Sequence, residues 1–247
     1  MKTTLVRMHQ AGGPEVLQLE QIELADPGPG EVRVRQTAIG LNFQDIYTRS
    51  GAYPCPLPTG LGTEAAGVIE KLGPGVTGFE VGERVCYAGG PALGAYATHR
   101  NYPVARLLKS PDFMSDEQLA AVMLKGMTVE YLMQRCFSVQ RGQFVLMHAA
   151  AGGVGLLAGL WGKHLGARMI GVAGGPEKVA LALQHGYEFC IDRKSEDIAA
   201  RVREITQGAG VPVVYDSVGK DSFEASLASL KPRGYFVSFG EIGRAHV

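Results

Sequence analysis

Within the stretch HAAAGGVG, Ala150, Gly152 and Gly155 fall at the spacing of a dinucleotide-binding turn, with alanine where the first glycine is expected. That chemistry asks for small residues at three places for three reasons. One allows a tight turn, one lets backbone come up to a pyrophosphate, and one lets the following helix pack closely on the preceding strand. Gly153 adds room, and with Val154 it opens a helix whose first N–H groups and positive dipole end suit a phosphate. An ordinary glycine-rich turn between a strand and a helix looks similar. The apolar strand QFVLMH before it and the helix GLLAGLWGKHLG after it favour the phosphate-binding reading.

The end of the next strand, RMIGVA, selects between dinucleotides. A site for NAD usually carries an acid about 20 residues downstream, bonded to the ribose 2′-hydroxyl. Here GVAGGPEK offers Gly174 and Gly175, with no acid before Glu177; Lys178 follows, and Arg193 lies at the end of the strand after that. Without a carboxylate a 2′-phosphate meets no repulsion, and the two cations attract it. The residues point to NADPH, contacted by Gly174, Lys178 and Arg193. The plain alternative for Lys178 is a solvated helix position.

These residues need a frame to hold them. From about residue 142 strands alternate with helices: QFVLMH, RMIGVA, FCI, VPVVYD and GYFVSFG are the strands. GLLAGLWGKHLG puts Leu157, Leu160, Trp161 and Leu165 on one apolar face. PEKVALALQHG begins with proline and ends before glycine. SEDIAARVREITQG has Ser195 as its expected N-cap, and DSFEASLASL carries Phe223, Leu227 and Leu230. Such alternation implies a parallel sheet with helices on both faces. Up to about residue 120 the rhythm differs. EVRVRQT alternates Val32 and Val34 with Arg33 and Arg35, and GVIE, ERVCY and AYATH read as further strands between turn-rich separators. One short helical piece lies near NFQDIYTRSG. The expected fold class is α/β: a β-rich domain over 1–123 and a doubly wound domain over 124–240.

The chain has 247 residues, enough for two domains, and 46% of them are apolar, enough for buried cores. Lys plus Arg balance Asp plus Glu at 24 each, which gives no electrostatic case for nucleic acid or an anionic membrane. No apolar run is long enough for a transmembrane helix, and MKTTLVRMHQAGG lacks the apolar stretch of a signal peptide. Cys55, Cys86, Cys136 and Cys190 are scattered, which argues against a disulfide framework or a four-cysteine zinc site and for the cytoplasm. GYFVSFG is only the fifth strand, whereas a doubly wound domain usually has about six. The seven residues after it, EIGRAHV, are encoded by GAGATCGGAAGAGCACACGTC, which resembles a widely used sequencing adapter. The expectation is that 241–247 are non-native and that the natural reading frame continues beyond Gly240.

Taken together, NFQDIYTRSGAYP, GLGTEAAGVI, LKGMTVEYL, HAAAGGVG, VVYDSVG and GYFVSFG resemble the zeta-crystallin-like quinone oxidoreductases. These form part of the zinc-free side of the medium-chain dehydrogenase/reductase superfamily. The resemblance runs from residue 1 to about 240, in order. It implies a GroES-like catalytic domain followed by a Rossmann domain, incomplete here at its C-terminal end, with NADPH in the cleft between them. It also implies a homodimer of the full-length parent, to which activity is expected to belong. Zinc-dependent relatives place a histidine where this chain has Thr63 and a cysteine where it offers Asn42, so no metal is expected.

The resemblance carries further residues with it. It places Asn42 and Tyr47 near the nicotinamide and the acceptor as catalytic candidates, Asn42 also as a cofactor contact. Asp45 is expected to be a local cap or ion-pair partner, and Glu64 a retained acid with a structural role at least as well supported as a catalytic one. Lys125 and Thr128 resemble a helix start that contacts the cofactor, with Thr128 directed at the carboxamide. Ser217 and Gly219 lie where a strand-end loop meets the cofactor, and Phe239 and Gly240 end the next strand beside the nicotinamide. His148 is expected to be structural. The activity implied is NADPH-dependent reduction of a small-molecule quinone or related conjugated carbonyl, with no metal and little need of a general acid. Two rivals remain: an enone or alkenal reductase of the same fold, and a non-enzymatic NADPH-binding role such as a lens or RNA-binding protein.

Overall fold

The structure, a computed structural model, describes residues 1–90 and 93–240. The expected non-native tail, 241–247, lies outside them. The chain divides after Leu124 into two units, the first starting at Met1 and the second at Lys125.

The first unit runs β1 (Lys2–Met8), β2 (Gln18–Glu23), β3 (Glu31–Ile39), α1 (Phe43–Ser50), β4 (Thr59–Gly60), β5 (Glu64–Leu72), β6 (Arg84–Ala88), β7 (His99–Pro103) and β8 (Leu108–Lys109). Strands β7-β3-β5-β6-β8 form one antiparallel sheet, and β2-β1-β4 a smaller one. Val32 and Val34 of β3 pack with Ala65, Ile69, Val85 and Tyr102 in the core. The alternation expected in β3 holds for the valines and for the exposed Arg35, but Arg33 is buried. Its Nη2 donates to Ala25 O at 2.6 Å and to Asp26 Oδ1 at 3.2 Å, so hydrogen bonds offset its burial. AYATH is a strand only at its last residue, His99, apart from a single bridge between Leu5 and Ala97.

Helix α2 (Asp116–Glu130) spans the unit boundary and continues as a π-helical turn, Tyr131–Cys136. A helix was expected to start near Lys125; it starts nine residues earlier, at Asp116. Its start is capped by reciprocal bonds: Gln118 N donates to Ser115 Oγ at 3.2 Å, and Ser115 N to Gln118 Oε1 at 2.9 Å.

The second unit continues with β9 (Phe144–Met147), α3 (Gly153–Leu165), β10 (Arg168–Ala173), α4 (Pro176–Gln184), β11 (Phe189–Asp192), α5 (Ile198–Ile205), β12 (Val211–Asp216), α6 (Phe223–Ser229) and β13 (Leu230–Ser238). The strands are parallel in the order β11-β10-β9-β12-β13. Numbered from β9 this is 3-2-1-4-5, the dinucleotide-fold order. Successive residues serve opposite cores: Val145, Met147, Val213 and Tyr215 one, Leu146 and Val214 the other. Both faces are covered, which is why these strands read as unbroken apolar runs.

Leu157, Trp161 and Leu165 of the apolar stripe on α3 pack half-buried against the core. Leu160 is 48% exposed, and Gly155, Ala158, Gly159 and Gly162 are buried. Tyr187 donates from its hydroxyl to Gly155 O at 2.7 Å, so small residues let a large ring come under the helix. The N-cap of α5 is Asp197, whose carboxylate accepts from Ala200 N at 2.8 Å, rather than Ser195.

Candidate active site

The carboxyl ends of β9, β10 and β12 open on a cavity of about 570 Å³ within the second unit. In an open parallel sheet this is where ligands bind, because the connections reverse direction at β9. Gly152 and its neighbour Ala151 line it from the turn, Gly174 from the end of β10, and Lys178, Arg193 and Lys194 add three cations. Asp221 is the one acid lining it among the described residues. Gly152, Gly174, Lys178 and Arg193 are thus brought together as expected from the sequence. Lys194 was missed, although it directly follows Arg193.

The other turn residues do different work. Ala149, not Ala150, takes the left-handed conformation that makes the turn, with φ 51. Ala150 is fully buried, and its N–H donates to Val172 O at 3.0 Å. A Cβ on Gly155 would stand 2.3 Å from Ala149 O, so this glycine is what lets α3 begin so close to the turn. Val154 is half-buried against the core. Gly152 is the N-cap of α3, extended and without a side-chain cap, so the first-turn N–H groups are left to other acceptors. Lys125 reaches this helix end: a Cβ on Gly153 would meet its Cδ at 2.9 Å and its Cε at 3.0 Å. Lys125 and Thr128 do not open a helix as expected; they lie in the later turns of α2.

His148 and Asp216 form a buried polar knot beside the cavity. Ser226 Oγ donates to Asp216 Oδ2 at 2.7 Å and lies 2.9 Å from His148 Nε2. The serine's one proton goes to the carboxylate, so His148 donates from Nε2. Ser222 Oγ also donates to Asp216, as do Val218 N at 2.8 Å and Gly219 N at 3.0 Å. Burial raises the Asp216 carboxyl, but Ser226, Gly219, His148 and Ser222 together hold it below its usual range. Burial lowers His148, against the pull of Asp216, and keeps it neutral. Ser226 touches both partners itself and is fully buried, so this is no hydrolytic triad. His148 is buried in this knot and also lines the cavity. Ser217, Phe239 and Gly240 meet beyond it: Phe239 N donates to Asp216 O at 2.9 Å, and a Cβ on Gly240 would lie 3.7 Å from that of Ser217.

In the first unit Asn42 is the N-cap of α1 and forms a capping box with Asp45, whose Oδ2 accepts from Asn42 N at 2.9 Å. Asn42 Nδ2 donates to Glu64 Oε2 at 2.7 Å, and Leu124 N to Glu64 Oε1 at 2.6 Å. Tyr96 donates to Asp45 Oδ2 at 2.7 Å. Burial and then Asp45 raise the Tyr96 pKa and keep its hydroxyl protonated. Glu64, Asp45 and Asn42 are all buried. Tyr47 is half-buried between Phe43 and Tyr53, at centroid distances of 5.1 and 5.4 Å. Thr63 is buried and its hydroxyl has no hydrogen-bond partner. Among the described residues no group of three or more His, Cys, Asp or Glu could hold a metal ion.

An antiparallel β unit followed by a dinucleotide-type parallel sheet defines an alcohol-dehydrogenase-like oxidoreductase, and comparison with known proteins agrees. Residues 28–112 match the alcohol dehydrogenase GroES-like domain, and residues 153–246 the zinc-binding dehydrogenase domain. A quinone oxidoreductase of Pseudomonas aeruginosa is 54% identical over 230 residues, covering 93% of this chain and 70% of that protein. A 2-haloacrylate reductase of a Burkholderia species is 48% identical over 240 residues, covering 94% and 72%. The crystal structure of Escherichia coli quinone oxidoreductase complexed with NADPH superposes with a TM-score of 0.94 at 48% identity, covering 96% of this chain and 73% of that one. The chain belongs to the quinone oxidoreductase family of the medium-chain dehydrogenase/reductase superfamily.

Proposed function

We propose that the protein reduces quinones with NADPH and without a metal ion. The observation that carries this reading is the cavity at the strand ends, where three cations and no carboxylate of β10 surround Gly174. A 2′-phosphate fits that set, and an NAD ribose, which needs an acid there, does not. Relatives named quinone oxidoreductases, one of them solved with NADPH, support it.

NADPH would supply the reducing equivalents when bound. The chain's own part is to hold and orient. The uncapped N-terminus of α3, with Gly152 and the Lys125 stem beside it, suits the pyrophosphate. Lys178, Arg193 and Lys194 suit the 2′-phosphate. Thr128, Ser217, Phe239 and Gly240 are assigned to the nicotinamide half. Asn42 and Tyr47 are assigned to cofactor and acceptor in the first unit; Glu64 orients the Asn42 amide by accepting from its Nδ2. The reading extends to a homodimer of the full-length parent, in the cytoplasm. Four free cysteines accord with a reducing compartment, and light scattering on the purified protein tests the dimer.

A second reading, reduction of a conjugated double bond, draws on the relative named 2-haloacrylate reductase. Steady-state rates with a naphthoquinone, a linear enal and a 2-haloacrylate, each with NADPH, separate the two. Preference for the quinone is expected; preference for either unsaturated acceptor would replace the first reading with the second.

A further inference from the structure

The three cations of the cavity stand on two separate stretches of chain, the first turn of α4 and the turn after β11. Their convergence depends on how those turns are joined. Arg193 N donates to Ala173 O at 2.9 Å, carrying the β10–β11 pairing to its last rung. Beyond that rung the link is a side chain. Asp192 Oδ1 accepts from Gly175 N at 2.8 Å and from Lys194 N at 3.0 Å, so one oxygen ties both turns. Gly175 is the N-cap of α4, whose first turn carries Lys178. Its φ of 96 is one that side-chain-bearing residues rarely adopt, so the chain reverses sharply where the carboxylate grips it. The cations close over the same turn: a Cβ on Gly174 would lie 3.3 Å from Arg193 Nε and 3.7 Å from Lys194 Cε.

Asp192 itself is not among the residues lining the cavity; Arg193 and Lys194 are. It stands behind the wall they make. The Gly175 and Lys194 N–H groups hold its carboxyl below the usual range, as befits an ionised acceptor. In a site for NAD an acid bonds the ribose; here the nearest strand-end acid is turned to two peptide groups instead.

We propose that Asp192 is a positioning residue for coenzyme selectivity: by clamping the Gly175 and Lys194 peptides it holds Lys178, Arg193 and Lys194 together as one site for a 2′-phosphate. The inference rests on the NADPH reading of the cavity. It also makes Lys194 a third phosphate-binding cation. The charge of Asp192 opposes a 2′-phosphate, so its contribution is one of position. Asp192→Asn keeps an acceptor oxygen and drops the charge, whereas Asp192→Ala drops both.

Calorimetric binding of 2′,5′-ADP and 5′-AMP to the full chain and its variants tests this without turnover. The unaltered protein is expected to prefer 2′,5′-ADP. Asp192→Ala should cut that preference about tenfold and leave 5′-AMP affinity within about twofold, the loss expected when two hydrogen bonds that fix a site are removed. Asp192→Asn should keep the preference or raise it, and Lys194→Met should lower it about tenfold. An Asp192→Ala protein that keeps its preference, or that loses 5′-AMP to the same extent, overturns the inference. So does an Asp192→Asn protein that behaves like Asp192→Ala. Should the unaltered protein show no preference, the NADPH reading itself falls, so the two failures are distinct.

Discussion

Gly152 in the second unit and Asn42 in the first are both helix N-caps, and the two helix ends are built in opposite ways. At α1 the end is closed: Asn42 and Asp45 cap it reciprocally, and Glu64 takes the Asn42 amide. At α3 the end is open: Gly152 offers no side chain, and the residue lines a cavity. A closed end satisfies its own donors and works as architecture; an open end keeps them for a ligand. The second unit therefore presents backbone and flanking cations to a cofactor. The first unit spends its polar groups on fixing the orientation of a few side chains.

Closing the open end should have the largest effect. Gly152→Asp would cap α3 with its own carboxylate and place a negative charge at the cavity. NADPH affinity, followed by fluorescence quenching, should fall about a hundredfold while the urea midpoint holds or rises. A variant that still binds NADPH normally would break the contrast. Opening the closed end should act on stability instead. Asn42→Gly removes the amide that donates to the buried Glu64 carboxylate, at a cost of about 2 kcal/mol in urea unfolding. Its effect on 2′,5′-ADP binding should be negligible.

Much of this was legible in the sequence. The five strands of the second unit, the turn, Gly174, Lys178 and Arg193 announced themselves because apolar runs, glycines and charges were punctuated in order. The true start of helix α2 was not, because DEQLAAVMLKGMTVE has apolar residues on all sides and a glycine within it; its one clear mark was Ser115 followed by Gln118. The stripe on α3 was legible except at Leu160, which is exposed. Periodicity marks an apolar face, but packing against Tyr187 required a small one as well. The links of Glu64 to Asn42 and Leu124, across 22 and 60 residues, have no local signature at all.

Two smaller tests sharpen the comparison within the second unit. Folding lowers the proton affinity of His148 from its ordinary value of 6.5, so the unfolded chain binds the extra proton first. The stability it contributes is full above that value and declines as pH falls below it. Asp216, depressed from 3.8, loses its contribution only at lower pH. Urea unfolding of His148→Gln between pH 7 and 5 should show a flatter slope than the unaltered chain. The smallest effect is expected at Ala149. Ala149→Gly relieves a left-handed alanine but frees the unfolded backbone, so stability should change by less than about 0.5 kcal/mol.

The central claim is that the open helix end and its three cations are an NADPH site serving quinone reduction. It is tested most directly by kcat/KM for NADPH and for NADH with a naphthoquinone as acceptor. The expected result is a preference for NADPH of about tenfold or more, the value of charge-assisted bonds to one phosphate. Equal use of the two coenzymes, or a preference for NADH, would contradict the account.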